Sequence, residues 1–180
     1  MRLAKPINFV AFNAGWFSCV LGAGNGMPWL GPAVVTALAI AHLVYHRFRA
    51  GIIFFYISAF LLGVIADGAL VLGGLLGFPE HAKLIAPLAL WMPVMWINFA
   101  TALNLSLSFF RGRYVLGAAF GLIGAPGTYY AGMHFDAVTL SDPLAVSMGA
   151  VGIEWLVAMP LLILLMRVFG TYRPVERTEP

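Results

Sequence analysis

Six stretches of apolar residues run through the chain, at about 7–24, 29–46, 51–77, 86–109, 114–133 and 143–169. Each is near the roughly 20 residues that a helix needs to cross a bilayer. The polar and helix-breaking residues fall between them. Asn25-Gly26-Met27-Pro28 separates the first from the second, and Gly77-Phe78-Pro79 ends the third. Arg111-Gly112-Arg113 ends the fourth, and Ser141-Asp142-Pro143 opens the sixth. The pattern predicts an all-α membrane protein, a bundle of six transmembrane helices. Residues 1–171 form one domain and 172–180 a short polar tail. An amino-terminal signal peptide is the less favoured reading of the first stretch, which is long and interrupted by Asn13 and Trp16.

The basic residues sharpen this into a topology. With six spans, Arg2, Lys5, Arg47, Arg49, Arg111, Arg113, Arg167, Arg173 and Arg177 share one side, and only Lys83 falls on the other. Cationic loops stay on the cytoplasmic side, so both termini are expected there. Composition agrees. Of 180 residues, 62% are hydrophobic and 9% charged, too few charges for the surface of a soluble domain. The net charge of +3 is spread between spans, which speaks against a nucleic-acid partner. One cysteine, Cys19, excludes an internal disulfide and reads as a buried inert thiol.

Candidate chemistry starts with acids at membrane depth, which are expensive there and usually face the bundle interior. Asp67 stands about 17 residues into span three, roughly 25 Å from its cytoplasmic end. Glu154 stands about 11 residues into span six, roughly 17 Å from the outer end. No Lys or Arg lies at either depth, and desolvation then favours the uncharged acid. The pair is expected to share one site as catalytic acid/base groups, the alternative being a polar clasp between helices. In span four Trp91, Asn98, Thr101, Asn104 and Ser108 fall within about 140° on a helix and predict a polar stripe lining a cavity. Asn98, Thr101 and Asn104, with Asn13 and Trp16 of span one, are the candidate substrate-binding residues.

Other features carry less. Gly73/Gly77 and Gly117/Gly121 have GxxxG spacing and read as interior packing rather than dimerisation. Pro126 kinks or breaks span five before Tyr129 and Tyr130, read as interfacial. His42 and His46 read as interfacial rather than as a metal pair, and no bis-histidine haem is expected. Glu80, His81, His134, Asp136 and Asp142 read as loop polarity rather than a metal or acid/base site. No metal site and no cofactor is expected, and the phosphate-binding and nucleophile-elbow motifs are absent.

Asn8-Phe9-Val10, Gly15-Trp16-Phe17-Ser18-Cys19-Val20-Leu21-Gly22-Ala23 and Pro28-Trp29-Leu30-Gly31 resemble the opening of DUF2878, a family of bacterial membrane proteins. Asp67 in its glycine-flanked span, Phe99-Ala100-Thr101-Ala102-Leu103-Asn104, Tyr129-Tyr130-Ala131-Gly132, Glu154-Trp155 and Pro160-Leu161-Leu162 extend the resemblance over nearly the whole chain. In that family a histidine commonly follows the span-four asparagine. Leu105 stands there in this chain, which weakens an enzymatic reading. The resemblance supplies no established activity and implies, softly, a lipid-related role. Three functions stay open: a membrane enzyme, or an enzyme's partner subunit, acting on a lipid or apolar molecule; a small proton-coupled permease; and a non-catalytic assembly or sensor subunit. The expected partners are membrane lipid and an apolar ligand, with a homo-oligomer or partner membrane protein left open.

Overall fold

The computed structural model describes residues 3–46, 49–84 and 89–169. Six helices form where the apolar stretches lie: α1 (Ala4–Gly24), α2 (Leu30–Tyr45), α3 (Ala50–Leu72), α4 (Trp91–Asn104), α5 (Tyr114–His134) and α6 (Leu144–Val168). Three of them, α1, α3 and α6, are long and apolar enough to cross a bilayer. The protein is therefore an all-helical membrane protein, apart from one antiparallel pair of two-residue strands. In that pair β1 (Leu76–Gly77) sets Leu76 opposite Leu140 and Gly77 opposite Thr139 of β2 (Thr139–Leu140). Arg2, Arg47, Arg173 and Arg177, the tail 172–180 and the start of the fourth apolar stretch lie outside the described residues.

The chain runs up and down. At one end the β1–β2 pair joins the α3–α4 connection to the α5–α6 connection, and Gly24 lies against the backbone carbonyl of Phe135. At the other end Gly51 abuts the carbonyl of Phe169, and the Ser106 N–H donates to Asn8 Oδ1 at 3.1 Å. Lys5, Arg49, Arg111, Arg113 and Arg167 belong to this second end and Lys83 to the first.

Two helices are shorter than their apolar stretches. α3 stops at Leu72 because Gly74 takes φ +69° and the Leu75 N–H reaches back to the Leu70 carbonyl, a glycine-terminated cap. Gly77 is thus in a strand, so Gly73 and Gly77 form no helical GxxxG face. α4 ends at Asn104, about 21 Å after it starts. Beyond it Asn8 holds the Ser106 N–H, and the Ala102 carbonyl accepts from Leu105 and Leu107 instead. Ser108 consequently sits in a separate 3-10 turn, off the expected stripe. Every α4 residue except Met95 and Ile97 is buried, because α1, α2, α3 and α6 surround the helix. Irregular backbone at membrane depth is tolerated where protein covers it in this way.

α5 and α6 make the most extensive pair. Gly117 admits Ile163, Gly121 admits the Trp155 carbonyl, and Gly152 admits the Leu122 carbonyl. That last carbonyl is the one Pro126 leaves without its intrahelical N–H. α5 is continuous through Pro126, so the proline does not break it. Large apolar side chains also face outward along the helices, including Ile7, Val10, Ile65, Leu72, Val115 and Ile123. A soluble monomer does not leave so much contiguous apolar surface exposed, whereas acyl chains cover it at no cost.

Candidate functional site

Asp67 is buried near the β1–β2 end of α3, five residues or about 7.5 Å from its last residue. Gly63, one turn earlier on the same face, has no side chain, and the Trp96 indole occupies the space a Cβ would fill. The Trp96 Nε1–H thereby donates to Asp67 Oδ2 at 2.7 Å. From α5, the Tyr129 hydroxyl donates to Asp67 Oδ1. From α6, the Trp155 Nε1–H reaches the Tyr129 oxygen at 3.4 Å, and its ring stacks on Trp96 with centroids 4.6 Å apart. Trp96 and Tyr129 also stand about 7.5 Å from their helix ends, so the three helices bring these groups to one layer.

Glu154 lies on the buried stripe of α6 that includes Ser147, Val151, Ala158 and Leu162, one residue before Trp155. Both carboxylate oxygens are buried and have no hydrogen-bond partner among the described residues. It interacts electrostatically with Asp67 and with Tyr129. Asp67 and Tyr129 are joined directly, whereas no hydrogen bond joins Glu154 to either of them.

A cavity of about 230 Å³ opens beside this layer. Its walls come from α1, α4, α5 and Trp155 of α6. α5 packs chiefly on α6, and α1 on α2 and α4, which leaves a gap between α1 and α5. Phe9 and Phe120 line the cavity and are also about half exposed on the outer surface, so it opens sideways among apolar side chains. From Phe120 to Gly132 the α5 wall runs twelve residues, about 18 Å along the helix. Tyr129, Trp96 and Trp155 face this slot, and Asp67 stands behind them.

The span-four stripe behaves differently from the sequence expectation. Asn98, Thr101 and Asn104 are buried, but none of them lines this cavity or is hydrogen-bonded to either acid. Asn98 is 0% exposed; its Nδ2 donates to the Phe12 carbonyl of α1 at 2.9 Å, with Gly15 against its amide. Thr101 donates to the Asn98 carbonyl, and Asn104 has no side-chain partner among the described residues. Packing explains the difference. Asn98 on the polar face of α4 meets α1, whereas Trp91, Met95, Trp96 and Phe99 line the cavity. Asn13 donates to its own helix at Phe9 and is not in the cavity wall. Trp16 and Trp91 do line it. Trp96, Tyr129 and Trp155 were not singled out from sequence as site residues. The available signal was a phenol and indoles well inside spans, whose polar atoms require a buried partner.

The remaining polar groups lie elsewhere. His42 is buried rather than interfacial, with Nδ1 at 2.5 Å from the Tyr56 hydroxyl. His81 Nε2 approaches Asp136 Oδ2 at 3.4 Å, Lys83 pairs with Glu80, and His134 bonds to the Tyr130 carbonyl. Among the described residues no three His, Cys, Asp or Glu side chains are grouped to hold a metal ion.

The family model described as "Protein of unknown function (DUF2878)" matches residues 5–161. The chain belongs to the DUF2878 family. No curated protein and no solved structure matches it. The matched stretch contains every residue of the aromatic and carboxylate layer, from Trp16 through Asp67, Trp96 and Tyr129 to Glu154 and Trp155.

Proposed function

We propose that this member of DUF2878 is a six-span protein of the bacterial inner membrane, with both termini cytoplasmic. It takes a lipid or other apolar molecule from the bilayer and acts on it, alone or as the partner of an enzyme. The observation that carries this reading is the lateral slot of about 230 Å³ between α1 and α5, backed by Tyr129, Asp67 and Glu154. Apolar walls select an apolar ligand, and a side opening admits it without passage through water. Tyr129 contacts that ligand and Asp67 orients the phenol. Glu154, whose buried carboxylate oxygens have no hydrogen-bond partner among the described residues, is the second acid. Asn98, Thr101 and Asn104 then serve as interhelical structure rather than as ligand contacts.

A small proton-coupled permease is the second reading. It is favoured by a second cavity of about 10 Å³ against Asp67, between α3, α4 and Phe78. That is near the smallest space that holds a water, on the far side of Trp96 from the slot.

Lipid retention tests the first reading. Gly124 lines the slot with only the tip of Phe120 near its missing side chain, so Gly124→Leu should fill the space while α5 remains helical. Native mass spectrometry of the wild-type protein, extracted in mild detergent, should find a retained apolar molecule that Gly124→Leu lacks. Equal retention by both proteins would refute the slot as the ligand site.

A further inference from the structure

If the slot is the ligand site proposed above, its wall also specifies the ligand's head. Among the described residues every side-chain polar hydrogen that borders it, except the Trp16 indole N–H, is committed to the protein. The Trp91 indole donates to the Ala82 carbonyl at 3.0 Å, Trp96 to Asp67, Trp155 to Tyr129, and the Thr128 hydroxyl to the Ala125 carbonyl of its own helix. The Tyr129 proton goes to Asp67. The Tyr129 oxygen receives only the long Trp155 contact at 3.4 Å. A phenolic oxygen has two acceptor sites, so this one keeps capacity to accept from the slot. Among the described residues no Lys, Arg or His side chain lines the slot. An anionic head would lose its hydration and find no cation among the described residues that line the slot. An ammonium head would lose its hydration without touching the Asp67 or Glu154 carboxylate, because neither lines the slot.

We infer that the ligand is a neutral apolar molecule that ends in a hydroxyl, with that hydroxyl donating to the Tyr129 oxygen. A fatty or isoprenoid alcohol has this chemistry; a free fatty acid or a phosphate-headed lipid does not. Tyr129 is the specificity-determining contact, and Asp67 positions it by holding the phenolic proton away from the slot.

The fluorescence of the protein reads the slot directly, because Trp16, Trp91, Trp96 and Trp155 line it. Brominated dodecyl probes that carry an alcohol, methyl ketone, carboxylate, amine or plain alkyl end quench tryptophan on contact. They would be titrated into protein held in lipid nanodiscs, with Gly124→Leu as the blocked control. The alcohol should bind about 3- to 10-fold more tightly than the ketone and the alkane, the range expected for one additional hydrogen bond. The carboxylate should bind most weakly. Tyr129→Phe should remove the preference for alcohol over ketone. Ketone, carboxylate or amine binding as tight as alcohol would overturn the inference, as would a preference that survives Tyr129→Phe. Those outcomes leave the slot itself standing. Quenching by no probe, or equal quenching in Gly124→Leu, would remove the slot as a ligand site and the inference with it. The comparison among probes is made on the wild-type protein, so it does not depend on whether Tyr129→Phe folds.

Discussion

Gly63→Ala is the most economical perturbation of the site, because it adds one methyl group behind the Trp96 indole and removes no polar atom. A Cβ built on Gly63 would lie 2.5 Å from Trp96 Cγ and 2.7 Å from its Nε1, closer than atoms can approach. The indole is clamped by its stack on Trp155, so it must tilt or α3 must move outward. Overpacking of this kind costs about 1–3 kcal/mol. Tilting also breaks the bond from Trp96 Nε1 to Asp67, and interhelical hydrogen bonds in membranes contribute roughly 0.6–2 kcal/mol. Alanine recovers up to about 1 kcal/mol of helix propensity. The net loss is then about 1–4 kcal/mol, read as a lower thermal midpoint of the purified protein, with a shifted tryptophan emission. Trp96→Phe gives the control, since a smaller ring leaves room for the methyl group. In the double variant Gly63→Ala should cost less than it does alone. A midpoint unchanged within about 0.5 kcal/mol, or strict additivity with Trp96→Phe, would show that the glycine does not seat the indole.

Asn98→Asp should prevent stable folding, because it puts a carboxylate against the Phe12 carbonyl at a site with no cation, whereas Asn98→Ala should cost only about 1 kcal/mol. Thermal midpoints of the two variants check this, and equal midpoints would contradict it. The proposed topology predicts that a cysteine replacing Asp142 reacts with an impermeant maleimide in intact cells, while one replacing Arg113 reacts only after lysis. The reverse pattern would invert the bundle.

The helices were legible in the sequence because a 20-residue apolar run has few alternatives in lipid, and their up-and-down order followed from where Lys83 and the other basic residues fall. Their lengths were less legible. Gly74 in the left-handed region ends α3 through a local cap, and Asn8, nearly a hundred residues away, takes the N–H that ends α4. The latter is a tertiary event that no reading of span four alone contains. The buried carboxyl groups of Asp67 and Glu154 were legible singly, because acids at membrane depth are rare. The polar stripe failed as a cavity signal for a specific reason. Periodicity identifies a face of a helix but not its neighbour, and α4 packs against α1, α2, α3 and α6. Buried amides such as Asn98 can satisfy a neighbouring backbone as readily as a ligand. The aromatic face of the same helix, which looked like ordinary core, borders the slot instead.

The two acids also differ in a way that bears on the assembly-subunit reading. A polar clasp that only fixes helix register is expected to be mutually satisfied, because an unpaired polar group in an apolar interior is a net cost. Asp67 meets that expectation: each oxygen has a donor, one from α4 and one from α5. Glu154 does not, since both oxygens are buried without a partner among the described residues, next to a phenol already committed to Asp67. Glue would be served better by glutamine or by leucine at this position, and α6 already packs on α5 through small residues that need no acid. Under the proposed function, an unpartnered buried carboxyl group would instead be free to exchange a proton or to accept a ligand's donor. Glu154→Gln and Glu154→Leu separate the two accounts. If Glu154 is structural, leucine should weaken the fold. If it is functional, both variants should be at least as stable as wild type, and both should lose whatever change the protein makes in membrane lipid composition.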